Sequence, residues 1–396
     1  MTLIAALSLL LIGAHLLGRT AEHFGQPALL GQMLAGIALG PSLLGCVGAS
    51  PSLSAVADLS VLFVVVTAGL EMRMQHVLDA FRGKGSIALL LGLAIPAATA
   101  GTFAYAMQMS FWPGVVVTLC ISVTALPVAL RILDGLGLLN APWARIAISS
   151  ALLSDVIVLM GLGIAMSTAT PSGSSAVSAA AAVAAAVGKL GLLLLVVRGC
   201  HFICLRWTAS GAWSKSQDTR PSTDAVLIVT LLFMLALGAI SELLGFHFVI
   251  GVFLAALMVT RDLISDARFE KLERTCDVMT VSLFGPLFLA YQGVLFEAQA
   301  LVDYGFVAGL LIVAIVSKLL GGYATARLNR LDHRDALGVG IVMNARGVVG
   351  MVVASIAYRA GLVDQSLFST LLLVCIVTSV MTPFMLKAWI KPTAPF

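Results

Sequence analysis

The sequence predicts an all-α polytopic membrane protein of about thirteen transmembrane helices, forming one domain over residues 1–396. Three observations predict it. Of the residues 60% are apolar and only 11% charged, where a water-soluble chain carries roughly 25% charged residues. A chain this apolar cannot cover its core with polar surface, so its solvent is lipid. Second, apolar runs interrupted by polar or Gly/Pro clusters give thirteen candidate spans; at about 20 residues per crossing, no room is left for a large soluble domain. Third, the basic residues alternate between the loops in a way that only this number of spans preserves.

In chain order the spans are 2–18, 27–48, 53–71, 86–108, 113–133, 142–166, 176–205, 224–242, 246–260, 277–297, 302–326, 336–358 and 366–387. The first is not a cleaved signal peptide: no basic segment precedes it, and Arg19 follows it without a small-residue cleavage site. Loops after odd-numbered spans, counted with the flanking span ends and the C-terminus, hold nineteen Lys and Arg residues, and those after even-numbered spans hold one, Arg359. The positive-inside rule then places the N-terminus outside and the C-terminus in the cytoplasm, as for a protein of the cell's inner (plasma) membrane.

The net charge of +4 is accounted for by topology. No basic run interleaved with aromatics occurs, so no nucleic-acid partner is expected. The six cysteines are scattered through apolar stretches and read as small hydrophobes. Cys200 and Cys204 lack a second half-site, so no resident metal and no cofactor are expected.

Beyond those at the span ends, three basic residues, Lys189, Lys318 and Arg346, lie inside spans, and Asp155 lies near the centre of the sixth. A charge at the bilayer centre costs at least about 2.5–3.5 kcal/mol on insertion scales and usually faces a cavity or an opposite charge. Asp155, Lys318 and Arg346 are therefore the functional candidates. Lys189, in an Ala-rich span, reads as a snorkelling lysine.

Two spans are interrupted. The fifth contains Ser122-Val123-Thr124-Ala125-Leu126-Pro127, with hydroxyls ahead of a proline that removes a backbone donor. The twelfth contains Asn344-Ala345-Arg346-Gly347. Spans seven apart cross in opposite directions, the arrangement of inverted repeats around a midplane site. The repeat units would be about 27–166 and 246–387, joined by the span at 176–205.

Residues 122–133 closely resemble the S-V-T-A-F-P-V-x-x-R-I-L stretch of monovalent cation:proton antiporters, in the branch that contains plant CHX exchangers and bacterial Kef-like transporters. Gln26-Pro27 with Leu39-Gly40-Pro41-Ser42, and Gly69-Leu70-Glu71, are similar to earlier motifs of that family, and Gly245-Phe246-His247, Lys318 with Gly321, and Met343-Asn344-Ala345-Arg346-Gly347 to later ones, in its order.

The resemblance implies a two-bundle antiporter fold, with a dimerisation part and a core part holding two crossed, unwound helices, and a homodimer in membrane lipid. It implies that Asp155 is the ion-binding aspartate, Lys318 the core lysine and Arg346 the basic residue at the second break. Ser154 stands where relatives have Asn, Gln or a second acid, and Gly350 near where many carry an acid. The nucleotide-binding domain of Kef-like proteins has no counterpart, so nucleotide gating is not expected.

The expected function is secondary active exchange of Na⁺ or K⁺ for H⁺ by alternating access. A buried carboxylate binds a proton or a partly dehydrated cation but not both well. Ser122, Thr124 and Ser154, with carbonyls freed at the breaks, would complete an oxygen shell around Asp155, while Lys318 and Arg346 would neutralise the half-helix ends. Pro127, Asn344 and Gly347 support the breaks. One carboxylate carrying one charge each way predicts electroneutral 1:1 exchange. The bland alternative is that Asp155 merely pairs with Lys318 or Arg346 to hold the bundle.

His247 is a pH-sensor candidate or a satisfied residue at a helix start. Gly36 and Gly40 form a G-x-x-x-G pair that reads as close packing rather than dimerisation. An uncoupled cation channel or a small organic-ion carrier is the alternative function. An intramembrane aspartyl protease would need two facing acids, and only Asp155 lies near a span centre, so the chain does not read as an enzyme.

Overall fold

The computed structural model describes residues 2–71, 86–139, 141–168, 176–209, 223–264 and 266–389. Among the described residues every regular element is helical. The helices are α1 (Leu3–His23), α2 (Ala28–Leu39), α3 (Pro51–Glu71), α4 (Ser86–Ala106), α5 (Phe111–Ser122), α6 (Leu126–Gly135), α7 (Pro142–Thr168), α8 (Ala176–Ala209), α9 (Thr223–Leu243), α10 (Phe248–Met258), α11 (Arg261–Ile264), α12 (Asp266–Met279), α13 (Gly285–Leu295), α14 (Tyr304–Leu328), α15 (His333–Met343), α16 (Val348–Arg359) and α17 (Gln365–Trp389). A π-helical turn, Thr280–Phe284, joins α12 to α13.

Eight described stretches are long and apolar enough to cross a membrane, and shorter apolar helices lie among them. Of the loop cations, Arg73, Arg82, Lys84, Lys215, Arg220 and Lys391 lie outside the described residues.

The helices gather into two units. One comprises Met1–Ser60, Val77–Leu162 and Gly285–Phe396; the other comprises Val61–His76 and Gly163–Phe284.

In the first unit α1, α2 and α13 pack on one another, around a core of Leu10, Ala14, Ala35, Ala57, Leu287 and Ala290. Small residues set how closely they approach. A Cβ on Gly36 would stand 1.8 Å from the Ala290 carbonyl oxygen, and one on Gly40 would meet Val294. The G-x-x-x-G pair is thus used within the chain, against α13. Gly36→Ala has no side-chain atom to push aside, only backbone, so α2 and α13 must separate along their length. We expect a loss of about 3 kcal/mol, the upper part of the range for overpacking, read as a lowered melting temperature in detergent.

The same unit holds a second group, in which α4, α5, α14, α15, α16 and α17 pack on one another. Within it lie both helix breaks. The chain leaves α5 at Val123 in an extended conformation and re-enters a helix after Ala125, with Pro127 in the first turn of α6. That is where a missing N–H costs nothing. It leaves α15 at Asn344 and re-enters after Gly347. A Cβ on Gly347 would stand 2.5 Å from Val128 and 2.7 Å from Ala125, so only glycine lets the second break lie against the first.

In the second unit α9 packs on α10. The Ser241 hydroxyl donates to the His247 carbonyl at 3.1 Å. Thr67 and Thr280 share a 2.7 Å hydrogen bond, and Phe63 stacks on Phe284. Lys189 is exposed, and its ammonium lies beside the Gly245 turn.

Candidate functional site

The site is built where the two interrupted segments cross. The Ala125 amide donates to the Ala345 carbonyl at 3.0 Å, and the Thr124 hydroxyl donates to the Met343 carbonyl at 3.4 Å. The sequence predicts both breaks; these bonds show that they touch. The last carbonyls of α5 have no helical partner beyond the break, and helix C-termini carry partial negative charge.

Two buried cations answer this. Lys318, on α14, donates through Nζ to the Ser122 carbonyl at 2.5 Å and to the Thr124 hydroxyl oxygen at 2.7 Å. Arg346, inside the second break, donates through Nη2 to the carbonyls of Ile121 and Ala314, each at 2.9 Å. The Ser379 hydroxyl donates in turn to the Arg346 carbonyl. Both cations are fully buried, with 0% of their surface exposed. Their partners are the carbonyls and hydroxyl of the first break and a carbonyl of α14, rather than a carboxylate.

Asp155 lies on α7, also fully buried. Among the described residues, neither of its carboxylate oxygens accepts a hydrogen bond of ordinary length. The backbone amides of Thr124 and Leu126 are directed at the carboxylate as hydrogen-bond donors beyond ordinary bonding distance, and the Lys318 ammonium acts on it electrostatically. Among the described residues it forms no ion pair within 4 Å with Lys318 or Arg346. The geometry is therefore not that of a pair holding the bundle together. A buried polar atom without a partner is uncommon in a folded protein and calls for an explanation.

The other predicted residues gather at the same crossing or on α7. Ser122 donates its hydroxyl to the Thr118 carbonyl at 2.6 Å, and Ser154 donates to the Ala151 carbonyl at 2.8 Å. With their protons tied to helix carbonyls, these oxygens offer only lone pairs, as a cation ligand must. Asn344 is buried, and among the described residues neither of its side-chain polar atoms has a partner; the Nε and Nη1 of Arg346 are likewise unpaired there. His247 stands elsewhere, as the N-cap of α10, where its Nδ1 accepts from the Val249 amide at 3.4 Å.

Sequence reasoning missed Ser379 and the Ala314 carbonyl. The first had a signal, the hydroxyl-rich stretch Thr378-Ser379 with Thr382 ahead of Pro383 in the last span. The second had none, because any residue supplies a carbonyl. Arg359, the lone cation of its loop class, forms an ion pair with Asp58 and lies over the Tyr291 ring at 5.6 Å.

Residues 6–391 match the family described as "Sodium/hydrogen exchanger, transmembrane". The chain belongs to this family. It is a multi-pass membrane protein of an antiporter family, and the family is one of transporters rather than enzymes. Over 99% of each chain it is 24% identical to the "Na(+)/H(+) antiporter" of Enterococcus hirae. Over 93% of its length it is 26% identical to the "Cation/H(+) antiporter 18" of Arabidopsis thaliana, of which it spans 46%. The resemblance read from residues 122–133 thus extends to named members of the same branch. The fold matches that of the sodium proton antiporter MjNhaP1 from Methanocaldococcus jannaschii, with a TM-score of 0.68 over 98% of this exchanger-family chain and 96% of that one, at 15% identity.

Proposed function

We propose that this chain exchanges a monovalent cation, Na⁺ or K⁺, for H⁺ by alternating access, one for one, through Asp155. The observation that carries it is the fully buried Asp155 carboxylate, with no hydrogen bond of ordinary length to either oxygen among the described residues, beside a crossing whose own cations are already bonded to backbone carbonyls. Such a carboxylate has capacity for one positive charge. A proton or a cation each fills it, and neither leaves room for the other.

Ser154, Ser122 and Thr124 would supply neutral oxygens around the bound ion, and Lys318 and Arg346 would hold the half-helix ends. The transporter would cross the membrane thirteen times as two inverted repeats, with the N-terminus outside and the C-terminus cytoplasmic, as a homodimer of the inner membrane. The relatives are named for Na⁺ in one case and for cations at large in the other, and the proposed oxygen shell suits both Na⁺ and K⁺.

The test is dye-monitored dissipation of an imposed pH gradient in proteoliposomes, with Na⁺ or K⁺ added in turn. The expected result is a response to at least one cation and no current under voltage clamp, because one charge moves each way. A current that scales with the cation gradient would overturn the 1:1 stoichiometry. Cation flux without proton movement would overturn antiport itself.

A further inference from the structure

Within the first unit, the group of α1, α2 and α13 and the group of α4, α5 and α14 to α17 pack tightly inside themselves and meet along a sparse seam. The seam is tied by polar contacts. Gln292, on α13, donates through Nε2 to the Ser355 hydroxyl of α16 at 3.1 Å. Gln365, on α17, donates to the Leu295 carbonyl at 2.7 Å, and the Ser369 hydroxyl accepts from the Glu297 amide at 3.1 Å. Arg359, at the end of α16, pairs with Asp58 of α3, a helix whose first turns, with Leu53 and Ala57, belong to the core around α1 and α13.

These four ties cluster at the ends of α13 and α16 and at the start of α17, the end that the loop charges place outside. Gln292 is fully buried, yet among the described residues its carbonyl oxygen has no partner. A permanent internal tie would be expected to use both ends of the amide. Side-chain bonds across a seam break and re-form at less cost than interlocked packing, which suits a surface along which helix groups slide.

We propose that Gln292–Ser355, supported by Arg359–Asp58 and the Gln365 and Ser369 contacts, is a latch that closes the outer side of the site and opens once in every transport cycle. The proposal rests on the transport reading above. Gln292 and Ser355 are then positioning residues: they set which side Asp155 faces without binding the ion.

The test is to join the latch covalently. Gln292→Cys and Ser355→Cys are combined and treated with a short bifunctional methanethiosulfonate reagent, with cross-linking verified by mass spectrometry. Wild type and each single variant receive the same treatment as controls for the native cysteines. The expected result is a fall of about tenfold or more in the exchange rate, recovered when reductant cleaves the link. Cross-linked protein that exchanges at its untreated rate would overturn the latch alone. If the untreated protein exchanged neither cation for protons, the transport reading would fail and the latch with it.

A second measurement guards against misfolding of the double variant. Gln292→Ala with Ser355→Ala, in vesicles of known orientation, should lower the apparent KM for the cation on the outer face and leave or raise it on the inner face. An equal change on both faces would mark the contact as a plain structural tie and overturn the proposal.

Discussion

Asp155→Asn is expected to abolish cation-dependent dissipation of a pH gradient, to the level of protein-free liposomes, without lowering the melting temperature. The two halves of this outcome have one cause. The carboxylate is fully buried and, among the described residues, accepts no hydrogen bond of ordinary length. Burying it carries a desolvation cost of several kcal/mol, offset only by the amides of Thr124 and Leu126 and the Lys318 charge, none of them in a hydrogen bond of ordinary length. Asparagine keeps the shape, carries no charge and cannot exchange a proton for a cation.

Removal of the charge therefore removes the transported-ion site while relieving the fold, so thermal stability should stay level or rise. A functional group commonly trades stability in this way. Had Asp155 been a structural partner of Lys318 or Arg346, the same substitution would strand a buried cation and cost about 3–5 kcal/mol. A clear drop in melting temperature, with exchange preserved, would return Asp155 to that structural role. The experiment needs only wild type, the variant, a melting curve and the liposome assay.

Much of this site was legible in the sequence because lipid makes charge conspicuous. In a water-soluble chain one aspartate, one lysine and one arginine would be unremarked; inside spans each is an expense that needs a reason. The two breaks were legible for a related reason, since Pro127 and Gly347 stand where an uninterrupted helix would have no use for them. What the residues could not disclose was contact. That Ala125 bonds Ala345, and that Lys318 reaches back to Ser122 and Thr124, depends on packing between segments some 200 positions apart in the chain.

The outer ties were hidden for a different reason. Gln292 and Ser355 are ordinary polar residues within apolar runs, with nothing in either run to point to the other. Arg359 looked like a lone exception in the count of loop charges, and only its position over Tyr291 and beside Asp58 explains it. His247 had two readings, pH sensor and satisfied residue at a helix start, and the structure adds the local contact: a ring nitrogen capping the helix that follows it.

Arg346→Ala is expected to yield little or no folded protein, and Arg346→Lys to recover most of it. Arg346 is among the largest fully buried side chains in the chain, and one guanidinium nitrogen holds the Ile121 carbonyl of the first broken span and the Ala314 carbonyl of α14 together. Alanine leaves the Ile121 carbonyl at the break without its donor, worth about 1–3 kcal/mol, removes one of the bonds to the Ala314 carbonyl, which the Ser317 hydroxyl also reaches, and leaves a void in addition. It also withdraws the positive charge that faces the C-terminal end of α5. The combined cost is about 3–5 kcal/mol or more, a large fraction of the 5–15 kcal/mol that typically separates folded from unfolded protein.

Lysine restores the charge and supplies up to three donors from one nitrogen, enough for both carbonyls because the arginine uses a single Nη2 for the pair. It lacks the planar fork, so a modest deficit should persist. Folded yield by size-exclusion chromatography and the melting temperature separate the cases. If alanine folded as well as wild type, the crossing would be held by its backbone contacts alone, and Arg346 would have to be assigned to the transport cycle instead. The Nε and Nη1 that it leaves unbonded would then be the atoms to examine.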